Sequence, residues 1–350
     1  FGLSGWSKLI VEVPQWAFED KSFAVSRAGV LQALVPLQLT ADGRLCSTAM
    51  GASGPILRPG LSSDERKEIL GELVQRVRQI AAREEAVAIE FSIPPLCQRS
   101  LHDPQGENPL VGLGFEDAST QSWIIDLKRP KLEIEKKVSR NVWRKVKEAA
   151  QAGYRVRPIG GREEMDAYYE IHCETYHRTG ATPHPKEYFL GIYDQFTTRG
   201  LSKIWVAVDW EDRPVAFTNI AVYKNAALYW TTCCRDKDFG HGVYYLLLWQ
   251  AIEAAKDSGT EWFDCAEAFP TAPAGSKERG LSDFKAKFGG ELHRYWKGRI
   301  VLRTAGSETA PSGSRRMLQE LRGARGRVES LVGKKAADVL HVPVFQAEKI

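Results

Sequence analysis

The chain has 350 residues, 43% of them hydrophobic and 10% aromatic, and a net charge of +4. That apolar content fills one large core or two of ordinary size, which excludes wholesale disorder. Six cysteines without a Cys-x-x-Cys pair or Cys/His ligand spacing exclude a zinc site and a disulfide framework, and they fit a reducing cytoplasm.

The first predicted element is a short helix over 4–12. Segments 22–27 and 30–39 are rich in Val, Leu and Phe and, with Ala28-Gly29 between them, predict a hairpin. After a loop carrying Gly51, Gly54, Pro55 and Pro59, Ser62 or Ser63 opens a helix. A serine hydroxyl accepts from the free N–H groups of the first turn, and Glu65 suits the positive end. Ile69, Leu70, Leu73, Val74, Val77 and Ile80 keep helical spacing. Short buried strands are expected over 86–93, stopped by Pro94-Pro95, and over 122–127.

From Lys128-Arg-Pro130 a basic linker leads into one long helix over 133–151, closed by Gly153. Ile134, Val138, Val142 and Val146 share one face; Lys136, Lys137, Arg140, Arg144, Lys145 and Lys147 cover the others. Then come a strand over 154–158, helices over 162–180 and 188–199, and strands over 203–208 and 215–223. A strand over 227–234 follows, with a polar turn over 235–242, an apolar helix over 243–256 and a strand over 262–266. A loop with Gly275 and Gly280 leads to Asp283-Phe-Lys-Ala-Lys-Phe-Gly-Gly290. Segment 304–314 reads as a flexible connector, and 315–335 as a basic helix weakened by Gly323 and Gly326. The recurring strand–helix–strand plan implies two copies of one fold, over 1–127 and 154–302, joined by a basic linking helix (128–153) and followed by a basic flexible tail (303–350).

Charge is unevenly spread. Segment 128–147 has nine basic and two acidic residues, a net +7, and 303–335 has eight and three, a net +5, which leaves −8 for the rest. Such concentration suits a polyanion: RNA, through Arg140, Arg144 and Lys147, or an anionic membrane surface met peripherally at the inner face. The plainer account is a pair of solvated helices. The longest strongly apolar run, Val243 to Trp249, is far short of the roughly 20 residues that span a bilayer. The opening Phe-Gly-Leu-Ser-Gly carries no signal-peptide pattern and no starting methionine, which leaves room for an upstream segment.

The order strand, glycine-containing turn, helix and second strand, followed by Phe284-Lys285 and Phe288-Gly289-Gly290, resembles the Fem family over most of 122–296. These are peptidoglycan-bridge aminoacyltransferases, grouped with broader acetyltransferases of the GNAT superfamily. The resemblance implies an α+β fold of two tandem GNAT-like domains with mixed central sheets. It also implies acyl transfer from aminoacyl-tRNA or acyl-CoA, with no tightly bound cofactor, to an amine or hydroxyl of a cell-envelope precursor, a peptidoglycan peptide or polysaccharide. The alternatives are an acyl-CoA-dependent acetyltransferase on a sugar or peptide, and a binding protein that keeps the fold without catalysis.

In the resemblance the lysine of Phe-Lys lies close to the reacting groups, so Lys285 is the first catalytic candidate, with an ammonium that steadies an oxyanion or a donor phosphate. The plainer reading is a surface lysine on a turn. Lys287 is its neighbour, and Phe284 and Phe288 orient both. Asp264, on the second strand, is either a base for the incoming amine or an acceptor for backbone N–H groups, with Glu267 as its rival. Arg178-Thr-Gly180 fits an element of the family; Arg178 is a fork for carboxylate or phosphate, or a cation at a helix C-terminus. Tyr229 and Trp230 line the acyl channel or belong to the core. Gly240-His-Gly242 resembles the Gly-x-Gly of coenzyme A-binding GNAT enzymes, but Asp236 and Asp238 stand where the diphosphate is expected. His172, His177 and His184 lack i, i+4 spacing, so no metal is expected.

Overall fold

The structure, a computed structural model, describes residues 4–47, 54–97, 104 and 106–302. Its first half contains helix α1 (Ser4–Glu12), strands β1 (Glu19–Asp20), β2 (Phe23–Arg27), β3 (Val30–Val35), β4 (Gln38–Leu39), β5 (Arg44–Cys46) and β6 (Ile56–Leu57), helix α2 (Ser63–Arg83), and strands β7 (Ala88–Ile93), β8 (Glu116–Asp117) and β9 (Thr120–Asp126). The Ser62 hydroxyl accepts from the Glu65 N–H, and the Glu65 carboxylate accepts from the Ser62 N–H, a reciprocal cap that starts α2 where the sequence placed it. Ile69, Leu73, Val77 and Ala81 form its buried face, packed with Leu45, Ile89 and Phe91 of the sheet. The strand expected over 30–39 breaks at Pro36, which has no N–H for a ladder. Residues 38–39 join the main sheet, while β2, β3 and β6 form a separate small one.

Next come helices α3 (Lys131–Lys137) and α4 (Arg140–Gln151), strand β10 (Arg155–Pro158), helices α5 (Met165–Thr179) and α6 (Lys186–Gln195), and strands β11 (Ser202–Val208), β12 (Pro214–Tyr223) and β13 (Ala226–Cys234). Helix α7 (Val243–Asp257), strand β14 (Trp262–Ala268), helix α8 (Lys277–Ala286) and strand β15 (Glu291–Val301) complete the described chain. The single helix expected over 133–151 is two. Val138 is extended, and the Ser139 hydroxyl accepts from the Val142 N–H and caps the second helix. The Ser139 N–H is donated to the Lys287 carbonyl at 2.8 Å, a tertiary bond that no helical pattern reveals. Likewise the loop expected around Gly280 is helix α8, started by Ser276, whose hydroxyl accepts from the Arg279 N–H. The polar turn over 235–242 is a 3-10 helix, Asp236–His241.

The two halves do not have separate sheets. One twelve-stranded sheet runs β1-β4-β5-β7-β15-β9-β14-β13-β12-β11-β10, with β8 also on β15. Glu291 to Tyr295 of β15 pair with β9, and Trp296 to Val301 pair with β7. Strand β9, from the first half, lies between β15 and β14 of the second. Helix α1 is exchanged in the same sense: Trp6, Leu9, Ile10 and Val13 pack with Tyr188, Phe189, Ile192 and Phe196, in the core that also holds Val206 and Phe217. The connector over 304–314 and the basic helix over 315–335 lie outside the described residues. Because Trp6 is fully buried against the second half, Trp6→Ala should destabilise that half by about 3–5 kcal/mol. Denaturant unfolding followed by fluorescence checks this, and a change below about 1 kcal/mol would remove α1 from that core.

Candidate functional site

Strands β13 and β14 run parallel but pair at only three positions, Ala226 with Trp262, Ala227 with Phe263 and Leu228 with Asp264. Beyond Leu228 they part. Each strand gains a residue near that point. Trp230 is extra in β13 relative to β12, since Asn219 and Ile220 face Thr231 and Tyr229. In β14, Asp264 and Glu267 face Ile124 and Ser122 of β9. Such bulges add local twist and turn a strand away from its neighbour, which opens the gap and leaves main-chain groups of both strands without a ladder partner across it.

The parted end of β14 carries a cluster of buried polar side chains. Asp264, Glu267, Ser122, Lys285, His293 and Lys297 are all less than 9% exposed. Asp264 Oδ1 accepts the Ala266 N–H at 2.8 Å and is also bonded to the Ser122 hydroxyl. Burial pushes its carboxyl up to about 6, against the Ser122 and Ala266 bonds and the Lys285 charge, which pull it down. Lys285, on the last turn of α8, donates from Nζ to the Glu267 carbonyl at 2.7 Å. It is therefore neither on a turn nor at the surface, the plainer reading of the sequence. The Glu267 carboxylate takes the Lys297 ammonium at 2.7 Å, a buried ion pair. Burial pushes the neighbouring Cys265 thiol up to about 12, and Cys233 rises for the same reason, so neither is a ready thiolate.

Phe284 and Phe288 pack edge to face, 5.3 Å apart, beside Tyr245 of α7. The Lys287 ammonium lies 5.9 Å from the centre of the Tyr245 ring. Gly289 is at φ 84°, and a Cβ there would stand 2.6–2.8 Å from Lys137 atoms, so the Phe-Gly-Gly segment is shaped to let α3 approach. Gly242, at φ 77°, plays the same part against α4: a Cβ would meet the Lys145 carbonyl oxygen at 2.6 Å. Gly240 has open space around it. Tyr229 is buried among α7 and β14 side chains, and Trp230, on the other face, stacks edge-on to Trp6 with centroids 4.7 Å apart. Arg178 ends α5 and is engaged by the Cys234 carbonyl and the Asp236 carboxylate, with its guanidinium 4.6 Å above the Phe239 ring. Asp238 is buried and accepts from Tyr154 Oη at 2.7 Å, while Glu174 takes the Asp236 N–H. The lip over 235–242 is thus held by its own acidic residues.

The basic linker is largely neutralised where it lies. Lys131 pairs with Glu253, Lys137 with Glu291, Arg129 with Asp126 and Glu291, and both Arg144 and Lys145 with Glu148. Lys128 sits over the Trp262 ring. Among the described residues, Lys136, Arg140 and Lys147 have no acidic partner and are exposed. Sequence reasoning missed Ser122, His293 and Lys297. The sequence reading placed no element over 291–301, and there His293, Tyr295 and Lys297 stand at alternate positions, the spacing that puts side chains on one face of a strand. Among the described residues no His/Cys/Asp/Glu group is arranged to hold a metal, and no helix is long and apolar enough to cross a membrane.

Residues 136–269 match the family model of an acetyltransferase (GNAT) domain. No curated protein sequence matches the chain. Solved structures share its architecture. FemX is similar with a TM-score of 0.64 and 14% identity, over 91% of this chain and 94% of FemX. The C-terminal domain of a putative lysylphosphatidylglycerol synthetase from Agrobacterium fabrum follows with a TM-score of 0.55 and 14% identity, over 87% of this chain and 88% of that one. A tandem GNAT protein from the clavulanic acid biosynthesis pathway has a TM-score of 0.52 and 13% identity, over 87% and 96%. The fold is therefore the tandem GNAT fold.

Away from the gap between β13 and β14, His172 and His184 stack 5.3 Å apart inside the second-half core, and His172 Nε2 accepts the His184 N–H at 3.0 Å. Burial holds His184 down to about 4 and His172 to about 2, the latter also through the neighbouring His184. Both are neutral in the folded state, whereas an unfolded chain protonates them near pH 6.5. The unfolded state therefore binds more protons below pH 6.5, and stability falls as pH drops toward 4. At pH 5 the loss should be on the order of 2 kcal/mol per histidine relative to pH 7, by the same linkage. Denaturant melts of wild type and His184→Gln across pH 4–8 check this, with a shallower acid slope expected in the variant.

Proposed function

We propose that this protein is an acyltransferase that passes an activated aminoacyl or acyl group to an amine or hydroxyl of a cell-envelope precursor. The observation that carries the reading is the buried Lys285 ammonium, hydrogen-bonded to the Glu267 carbonyl at the parted end of β14. Acyl transfer passes through a tetrahedral oxyanion, and a preset cation in a water-poor site stabilises it without reorganisation. Direct attack of the acceptor on the donor carbonyl fits, because the adjacent cysteine thiols are raised by burial and make poor nucleophiles. The likeness to FemX and to a lysylphosphatidylglycerol synthetase domain supports an aminoacyl donor and an envelope acceptor.

Aminoacyl-tRNA is the donor the lip favours. A diphosphate placed at 235–242 would meet Asp236, Asp238 and Glu174, while Arg178 is already engaged by Asp236. The exposed Lys136, Arg140 and Lys147 offer phosphate contacts instead. Acyl-CoA is the second reading, favoured by the GNAT match over 136–269.

Two measurements test this. Combined Lys136→Glu, Arg140→Glu and Lys147→Glu changes should weaken tRNA binding by about 10-fold or more and flatten its salt dependence, since each lost phosphate contact lowers the slope by about one. Arg144→Glu, already tied to Glu148, should matter less. Thermal stabilisation by coenzyme A with no tRNA binding would reverse the choice of donor. Lys285→Met should lower turnover by about 10²-fold, the usual scale for one lost oxyanion donor. Lys287→Met, whose ammonium faces Tyr245, should change it little, and full activity in Lys285→Met would remove that lysine from the chemistry.

A further inference from the structure

Strand β14 is irregular where it turns away from β13. From Asp264 to Glu267 it takes three steps while β9 takes two, from Ile124 to Ser122. The extra residue is accommodated by Ala266 at φ 62°, a left-handed conformation that costs an L side chain about 1–3 kcal/mol unless its surroundings hold it. What holds it is visible. Asp264 Oδ1 accepts the Ala266 N–H, the Ser122 hydroxyl bonds to the same Oδ1, and Ser122 Oγ lies 2.8 Å from the Ala266 carbonyl oxygen. The next residue is Glu267, whose carbonyl takes Lys285 and whose carboxylate takes Lys297, each at 2.7 Å. The place of the Lys285 ammonium is thus set by the backbone of residues 264–267.

We propose that Asp264 and Ser122 are positioning residues, which fix the left-handed bulge of β14 so that the Glu267 carbonyl holds the Lys285 ammonium at the opening. The proposal rests on the reading of Lys285 as the group that meets the transferred carbonyl. It gives Asp264 the second of the two roles its sequence position allowed, that of an acceptor for backbone N–H. Oδ1 is committed to two bonds inside a site where Asp264 is 7% exposed. The titratable groups that act on it are Lys285 from α8 and Cys265 on its own strand; Glu267 and His293 face Ser122 in the register, and Lys297 pairs with Glu267.

Asp264→Asn separates the two roles, because the amide keeps an Oδ1 acceptor for Ala266 and Ser122 but cannot take a proton at neutral pH. The first measurement is the Nζ resonance of Lys285 in full-length protein labelled with [15N]lysine, assigned by its loss in Lys285→Met. Positioning requires that resonance to move in Asp264→Ala and Ser122→Ala and to stay near its wild-type place in Asp264→Asn. An unmoved resonance in both alanine variants overturns the proposal. The second is turnover with aminoacyl-tRNA and a muramoyl pentapeptide as probes. Ser122→Ala and Asp264→Ala should lower kcat by about 10-fold or more with KM within about twofold, the expected result of misplacing a catalytic group by a fraction of an ångström. Asp264→Asn should restore most of that loss. If Asp264→Asn is as inactive as Asp264→Ala while the resonance stays in place, Asp264 is a proton acceptor and the proposal fails. If the resonance behaves as required but Lys285→Met keeps full turnover, the positioning stands and the role given to Lys285 falls.

Discussion

One strand of the second half, β15, is hydrogen-bonded to two strands of the first, β7 and β9, and the rest of the architecture follows from it. Its first five residues lie on β9 and its last six on β7. A strand shared in this way fixes the register of everything beside it, because a slip of one residue would turn its buried side chains to the opposite face. With β15 set, β9 is set, and β14 must follow β9 antiparallel on one side. It then follows β13 for only three residues on the other. The opening between β13 and β14 is therefore a consequence of which edge β14 obeys.

The same register gathers the polar cluster. His293, Ser122 and Glu267 are neighbours across three strands, and Lys297 lies four residues along β15 from His293, on the same face. Buried charges are tolerated only when paired or hydrogen-bonded, and here each has such a bond. Lys297 meets the Glu267 carboxylate, Lys285 meets the Glu267 carbonyl, and Asp264 meets a hydroxyl and an N–H. Glu267 is the hub, since its main chain and side chain each hold an ammonium. The basic helices α3 and α4 relate to the site by contact as well as by charge. Gly289 lets α3 approach the end of α8, Gly242 lets α4 approach the start of α7, and Ser139 bonds to Lys287.

Much of the local structure was legible in the chain. The cap at Ser62, the apolar faces of α2 and α7, and the strands β11, β12 and β13 follow from patterns that span a few residues, where propensity and periodicity act directly. The order strand, turn, helix, strand and Phe-Lys motif pointed to the tandem GNAT fold. Reading failed where a tertiary bond outweighed a local pattern. The 133–151 segment has a continuous helical stripe, yet its Ser139 N–H goes to Lys287, and the helix divides there. Gly280 is a different case: it looked like loop, and the segment is helix through a local signal, the Ser276 cap, that the glycine outweighed in the reading.

The sequence by itself determined most of the elements, the two-fold repetition of their plan, and the place of Asp264 on a strand, because each depends on neighbours within one turn or one hairpin. Only the tertiary structure decided that α1 serves the second half, that β9 and β15 cross between the halves, and that Lys285 is buried against Glu267. The first two outcomes join residues more than a hundred positions apart, as do the bonds of Ser122 with Asp264 and of Ser139 with Lys287. They depend on which edges find each other when the sheet closes, and no stretch of sequence carries that choice alone.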